Sequence, residues 1–299
     1  MGDYRIMAGP GEILQYLVTG LTLGGIYALI ALGFVLVYNV TGILNFTQGE
    51  FAMLGALLTV SIYGGGLSLP LSITLAVLLV AVIGGLFQRL AIDAARNASV
   101  VTMIIITIGA AVALRGIGLL AWGTNPYILP AFSGEQIIRL AGAAIIPQSL
   151  WVLGIVVLVV AALFIFFELT YQGKALRACA VNQLAARLMG ISPRNMAMLV
   201  FGLAGALGAL AGIVISPITM ATYDMGLMLG LKGFVAAVIG GLTSPGGAVL
   251  GGLILGIIES LGAGLVSSHY KDLISFVTLL LVLLYRPEGL LGFTQGKRV

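Results

Sequence analysis

A polar stretch with an ionisable residue interrupts the apolar first part of the sequence. The segment Asn-Phe-Thr-Gln-Gly-Glu at residues 45–50 lies between two hydrophobic runs, 13–40 and 51–62. Glu50 in such surroundings is a candidate for lining or gating a pore, or for carrying a proton or another ion. Alternatively, Glu50 begins the second helix, where the positive end of the helix dipole stabilises its charge. Both interpretations are open, and the candidate pathway residues are Asn45, Gln48, Gly49 and Glu50.

A second break carries Thr-Ser-Pro-Gly-Gly at residues 243–247, inside the apolar run 233–266. A broken backbone at membrane depth leaves N–H and C=O groups free to contact a zwitterionic substrate. Close packing between small residues is the alternative, and it is favoured here. The candidate residues of this break are Thr243, Ser244, Pro245 and Gly246.

The longest polar segment, 168–195, is strongly basic. Its apolar residues recur at helical spacing, which predicts one amphipathic helix over 171–194. Attraction to anionic lipid explains the charge but not the ordered amphipathic length, so we favour docking to a cytoplasmic partner. The apolar positions are Leu176, Ala180, Leu184, Leu188 and Ile191. Against the single acidic residue Glu168 stand Lys174, Arg177, Arg187 and Arg194.

These candidates belong to a chain that is too apolar to be a soluble protein. Of the 299 residues, 60% are hydrophobic and 8% charged, and the mean hydropathy is +1.17. Soluble domains carry about 25% charged residues, so a soluble enzyme, a disordered protein and a nucleic-acid-binding protein are excluded. The apolar runs are continuous rather than alternating, which excludes a transmembrane β-barrel. We predict an all-α polytopic membrane protein forming a single domain over 1–299.

The runs predict about eight transmembrane segments, two of them broken or re-entrant. Placing 168–195 in the cytoplasm, as the positive-inside rule requires, puts the N-terminus outside and the C-terminus inside. Breaks at 41–55 and 240–252, one in each half, are the pattern that marks a translocation site. Arg115 and Lys232 lie within or beside spans, and we expect their long side chains to reach the membrane interface.

The sequence lacks the motifs of catalysis and cofactor binding. One Cys and one His cannot build a disulfide framework or a Cys/His metal site. A phosphate-binding Gly-x-x-x-x-Gly-Lys-[Ser/Thr] loop is absent, as are His-Glu-x-x-His and Gly-x-Ser-x-Gly. We therefore expect no catalytic residue, no metal and no cofactor in this chain.

Several segments together resemble the bacterial branched-chain amino acid ABC transporter permeases of the LivH type. They follow one another at the family's spacing and cover nearly the whole chain. One departure is Thr47-Gln48, where many relatives have Ala-His, and it bears on substrate range. The matching segments are GGIYALIALG (24–33), TGILNFTQGE (41–50), YQGKALRACA (171–180), AARLMGI (185–191), AAVIGGLTSPGGAVLGG (236–252) and RPEGLLG (286–292).

The resemblance implies a permease subunit of a binding-protein-dependent importer for leucine, isoleucine, valine or similar small amino acids in the bacterial inner membrane. It implies a second, LivM-like permease, two cytoplasmic ABC ATPase subunits that use ATP and Mg, and a periplasmic binding protein, with membrane lipid around the pair. The two breaks would lie near the pathway, and 168–195 would hold the ATPase-coupling helix. Its coupling residues would be Gly173, Lys174, Arg177, Ala178, Ala185, Arg187 and Gly190.

Other functions remain as alternatives. Related permeases on a similar scaffold carry urea, short amides and other small organic solutes. A secondary transporter would use Glu50 as a proton or ion site. An intramembrane enzyme would need a catalytic pair, which the sequence does not offer.

Overall fold

The computed structural model describes residues 9–95, 97–134, 136–140 and 142–292, so both chain ends, whose orientation the sequence predicts, lie outside the described part. The described part is almost wholly helical. In chain order the elements are α1 (Pro10–Thr41), α2 (Gln48–Gly64), α3 (Leu69–Phe87), a π-helical turn (Gln88–Ile92), α4 (Val100–Trp122), β1 (Ile138–Leu140), β2 (Ala143–Ile145), α5 (Pro147–Leu169), α6 (Tyr171–Val181), α7 (Gln183–Leu188), α8 (Pro193–Thr219), α9 (Met225–Gly240), α10 (Pro245–Leu265), a 3₁₀ turn (Ser268–Tyr270) and α11 (Lys271–Tyr285).

Seven of the described helices are long and apolar enough to cross a membrane, and α2 and α9 are shorter, with 17 and 16 residues. The prediction of a polytopic helical membrane protein with two broken segments is confirmed. The described part also contains an antiparallel hairpin in which Ile138 pairs with Ile145. This hairpin falls in a stretch whose weak amphipathic pattern did not predict strands.

Helix α1 is the centre of the bundle. Its residues 24–37 are all buried, and α5, α8, α9 and α10 pack around it. A helix that is apolar on every side has no face to present to water, and such a helix is buried. Glycines allow the closest of these contacts, since a methyl group at Gly24 would lie 2.8 Å from the carbonyl oxygen of Gly252 in α10.

The outer helices expose most of their side chains in the single chain. For each helix, we consider the share of residues that are buried in its most apolar 18-residue window. This share is 22% for α3 with its π-helical turn, 17% for α4, 17% for α5 and 6% for α11 with its 3₁₀ turn. Their exposed residues are large and apolar, as lipid or another membrane subunit requires.

The first break lies deep in the bundle. Helix α1 ends at Thr41, and Gly42, with φ of 72°, reverses the chain. Helix α2 then begins at Gln48, whose side chain packs directly on Gly33 of α1. Gly33 lies about two turns, or about 12 Å, before the end of α1, so α2 starts well inside the bundle.

The second break separates α9 from α10 at residues 241–244. Gly241 has φ of 104°, a conformation that side chains disfavour, and it ends α9. The Ser244 side chain then caps α10 by accepting a hydrogen bond of 3.0 Å from the Gly247 N–H. Pro245 follows at the first helical position, where its missing N–H costs nothing. The sequence placed this break at 243–247, a few residues late.

The prediction of a single helix over 171–194 is wrong. Asn182 adopts an extended conformation, with φ of −156°, between α6 and α7. Its side chain accepts hydrogen bonds from the N–H groups of Leu184 (2.9 Å) and Ala185 (3.1 Å) and so starts a new helix. The polar segment therefore consists of two short helices, and α8 begins at Pro193.

Candidate functional site

The N-terminal ends of α2 and α9 meet in the interior. A methyl group at Gly49 would overlap the carbonyl oxygen of Gly226 and would lie 2.7 Å from the Cα of Gly230. Only glycines permit this approach. Each helix end carries N–H groups without partners in its own helix and a positive partial charge, so the junction favours negative charge.

Glu50 supplies that negative charge, and Arg115 of α4 neutralises it. Glu50 is 1% exposed, and its Oε1 accepts a hydrogen bond from the Arg115 guanidinium. The expectation that Arg115 reaches the membrane interface is wrong, because the guanidinium turns inward to a carboxylate that could not stay buried and charged without a partner. The alternative interpretation of Glu50, stabilisation by the dipole of α2, is compatible with its position in the first turn of that helix, whereas its pairing with Arg115 was not predicted.

Asn45 and Gln48 hold the start of α2 in place. The Asn45 Oδ1 accepts a hydrogen bond from the Thr47 N–H at 3.2 Å, and the Gln48 side-chain amide donates to the Ala204 carbonyl of α8 at 2.9 Å. Thr107 of α4 accepts a hydrogen bond from the Phe46 N–H at 3.2 Å, which ties the break to α4 as well. The polar residues of this break thus connect three elements around one junction.

The second group of candidates lies elsewhere. A cavity of about 450 Å³ is bordered by Thr243, Pro245 and Gly246. Residues of α1, α5 and α6 form the rest of its wall, among them Asn39, Phe167 and Arg177. The Asn39 side chain donates a hydrogen bond of 3.2 Å to the Thr243 carbonyl. Because Gly49 contacts the start of α9 and Thr243 follows its end, the two groups are separated by the length of α9, about 24 Å.

Helix α6 is anchored to the bundle. Leu176 and Cys179 are buried, and Gly173 lies so close to α5 that a methyl group would be 2.6 Å from the Phe167 Cα. The Arg177 guanidinium contacts both carboxylate oxygens of Glu168, at 2.6 and 3.2 Å, across the turn between the helices. Lys174 is exposed, and Ala178 is half-buried.

Large apolar side chains are exposed on α7 and at Met189, the residue that follows it. Leu184, Leu188 and Met189 are 69%, 82% and 81% exposed, and we call these three residues the α7 patch. The expected apolar stripe from Leu176 to Ile191 is therefore divided, because the break at Asn182 changes the direction of the chain. Exposed apolar clusters of this kind mark interaction surfaces. Around the patch, Ala185, Arg187 and Gly190 are also exposed.

Sequence reasoning missed a second buried charge cluster. Lys232 of α9 is 6% exposed and contacts Glu259 of α10 at 2.9 Å and Asp272 of α11 at 2.7 Å. The expectation that Lys232 reaches the membrane interface is therefore wrong. Glu259 also accepts hydrogen bonds from Tyr27 (3.0 Å) and Ser275 (2.8 Å). The available signal was Glu259 itself, an ionisable residue within an apolar helix.

Comparison with known proteins gives a consistent result over almost the whole chain. The profile of the family described as branched-chain amino acid transport system / permease component matches residues 16–283. The chain is 34% identical to the high-affinity branched-chain amino acid transport system permease protein LivH of Escherichia coli (strain K12), over 96% of this chain and 97% of that protein. It is 33% identical to the corresponding permease protein BraD of Pseudomonas aeruginosa, over 96% and 98%.

More distant similarities extend to another import permease and to a solved structure. The ribose import permease protein RbsC of Escherichia coli (strain K12) is 27% identical over 86% of this chain and 81% of that protein. Among solved structures, PsaBC from Streptococcus pneumoniae in complex with Fab matches with a TM-score of 0.52 and 16% identity, over 92% of both chains. This structural likeness concerns the fold alone.

Proposed function

Because the chain belongs to the family of branched-chain amino acid transport system permease components, we propose that it carries branched-chain or similar small amino acids across the bacterial inner membrane. It does so as the permease subunit of a binding-protein-dependent importer. The observation that carries this proposal is the 34% identity to LivH over 96% of the chain. The Glu50–Arg115 pair at the α2–α9 junction supports it, because a neutralised charge pair suits a substrate that is itself a zwitterion.

Energy for transport comes from partner subunits. Two cytoplasmic ABC ATPases bind and hydrolyse ATP with Mg, and they dock on α6 and α7. The α7 patch supports this docking, because three large apolar side chains stand exposed beside basic residues on a segment outside the candidate spans. The coupling residues of 168–195 form or position that surface.

Two further partners complete the importer. A second, LivM-like permease packs against exposed apolar helices of this chain, and a periplasmic binding protein delivers the substrate. The N-terminus lies outside and the C-terminus inside, which follows from placing the basic segment 168–195 in the cytoplasm.

Substrate passes the two breaks in turn. Asn45, Gln48, Gly49 and Glu50 form the inner wall of the first gate, and the break at 243–246 forms the second, nearer the ATPases. Movement of α6 and α7 alters the second gate, because Arg177 of α6 borders the same cavity as Thr243. The second gate thus responds to a cytoplasmic event.

Uptake by the reconstituted importer tests this function. The chain is purified with the second permease and the two ATPases from its own gene neighbourhood, placed in liposomes, and supplied with the neighbouring binding protein. We expect leucine uptake that requires both ATP and the binding protein. Uptake of urea or a short amide instead, or ion-driven uptake by this chain alone, would contradict the proposal.

A further inference from the structure

The Glu50–Arg115 pair is incomplete as it stands. Glu50 Oε2 and Arg115 Nε are buried and have no hydrogen-bond partner within the described residues. Buried polar atoms are nearly always paired, so an unpaired acceptor and an unpaired donor on one ion pair call for an explanation. The two atoms do not bond to each other here, because the pair is joined only through Arg115 Nη2 and Glu50 Oε1.

A chamber lies against these two side chains. Its volume is about 260 Å³, and Gly226 and Gly230 of α9 form part of its wall. Liquid water occupies about 30 Å³ per molecule, so the chamber has room for a small amino acid. The rest of the wall is apolar and consists of Phe46, Ile108, Ala111, Val112, Leu227 and Leu231.

The charges around the chamber are arranged for both ends of a zwitterion. The free Glu50 oxygen is an acceptor for an ammonium group. The Arg115 guanidinium, together with the converging N-terminal ends of α2 and α9, favours a carboxylate. The branched apolar wall matches an aliphatic side chain.

We propose that the Glu50–Arg115 pair is a binding station for the free amino acid during its passage. The α-ammonium donates to Glu50 Oε2, the α-carboxylate accepts from Arg115, and the side chain contacts α4 and α9. This inference rests on the proposed function and adds to it the residues that hold the substrate. A neutral pair binding a neutral zwitterion leaves no uncompensated charge in the membrane, whereas a bound proton or metal ion would.

A photoreactive diazirine analogue of leucine tests the station in the reconstituted complex. We expect light-induced labelling of peptides from the chamber wall in α2, α4 or α9, and competition by free leucine. Glu50→Gln should reduce this labelling about tenfold or more, because charged hydrogen bonds are lost. Equal labelling in Glu50→Gln and the unaltered chain would overturn the station.

Two further variants guard against a folding failure. Glu50→Gln combined with Arg115→Gln leaves no unpaired charge, and we expect it to assemble and to lose the labelling. Leu227→Trp fills the chamber from a side chain that is 45% exposed and should also lose labelling and uptake. The matched control Leu273→Trp, at a 56% exposed position in α11, should retain both.

These outcomes separate the two claims. Suppose that the unaltered importer takes up leucine and that the double variant equals the unaltered importer in both labelling and uptake. The proposed binding station is then wrong, and the proposed function stands. If the unaltered importer takes up no branched-chain amino acid, the proposed function itself is wrong.

Discussion

Gln183 of α7 donates a hydrogen bond of 2.7 Å from its side-chain amide to the carbonyl oxygen of Val40, in the last turn of α1. The preceding turn residue, Asn39, donates to the Thr243 carbonyl in the α9–α10 break. Two hydrogen bonds therefore connect α7 to that break through the end of α1. A displacement of α7 has a direct route to the cytoplasmic end of the proposed pathway.

We expect Gln183→Ala to weaken the coupling between ATP hydrolysis and uptake. One hydrogen bond contributes about 1 kcal/mol, so the chain should still fold while more ATP is hydrolysed per amino acid imported. The ratio of the two rates in proteoliposomes measures this effect. Gln136→Ala, at an exposed position just before β1, is the control and should leave the ratio unchanged. An unaltered ratio in Gln183→Ala would rule out this route.

The α7 patch should be required for ATPase binding. Replacing Leu184 and Leu188 together by Ser should remove most of the bound ATPase during purification. Folding should persist, because both side chains are largely exposed. Leu120→Ser, at an 89% exposed position in α4, should retain the ATPases. Full recovery of the ATPases with the double variant would show that they dock elsewhere.

Lys232 should be important for stability. Lys232→Met leaves the buried Glu259 with a weakened set of partners, and removing one member of a buried pair costs about 3–5 kcal/mol. A lower melting temperature in detergent should result. Glu259→Gln added to Lys232→Met should recover part of the loss. Asp272→Asn, which alters a half-exposed partner, should cost about 1 kcal/mol or less. Equal melting of Lys232→Met and the unaltered chain would contradict the cluster's structural role.

Gly49 should not tolerate a side chain. Gly49→Ala forces α2 and α9 apart, and overpacking of this kind costs about 1–3 kcal/mol. Gly109→Ala in α4 is the matched control, because nothing lies within 4 Å of the added methyl group. Alanine is the better helix former by about 1 kcal/mol, so the control should melt at the same or a higher temperature. The melting temperatures of the two variants in detergent test this prediction, and a Gly49→Ala chain that melts no lower than Gly109→Ala would contradict it.

Cys179 reports on the anchoring of α6. Burial raises the pKa of the Cys179 thiol, so a smaller fraction is thiolate near pH 8 than in the unfolded chain. Because the folded state holds this proton more tightly, the group's contribution to stability falls as pH rises through the ordinary thiol range. We expect slow maleimide labelling until denaturant is added. The chain has one Cys, so the labelling needs no variant, and rapid labelling of the folded chain would contradict a docked α6.

Elements that depend only on the residue types of their own segment could be predicted from the sequence. The apolar run 13–40 is helical in the structure as part of α1 (Pro10–Thr41), because an uninterrupted apolar run determines its own ends. Both breaks were recognised, since Gly, Pro and polar residues inside apolar runs disrupt a helix wherever it packs. The separation of α6 from α7 was missed, because Asn182 is compatible with a helix interior until its side chain caps the next one.

The sequence alone could not predict which distant residues pair with each other. Glu50 and Arg115 are 65 positions apart, and Lys232 and Glu259 are 27 apart. Helical periodicity indicates which face a residue occupies but not which helix lies opposite. Long cations were therefore assigned to the membrane interface, the usual outcome for an unpaired Lys or Arg, although each has a carboxylate within reach in the folded bundle.

The enclosed position of α1 has a consequence for biosynthesis. It is the first described helix to leave the ribosome, yet α8, α9 and α10, which come to surround it, are made well after it. Until they arrive, α1 is solvated by lipid tails, which are as apolar as its own side chains. In the nascent chain, the helix that will form the centre of the bundle is thus surrounded by lipid. Completion of the subunit then requires those lipids to be exchanged for glycine-lined helices.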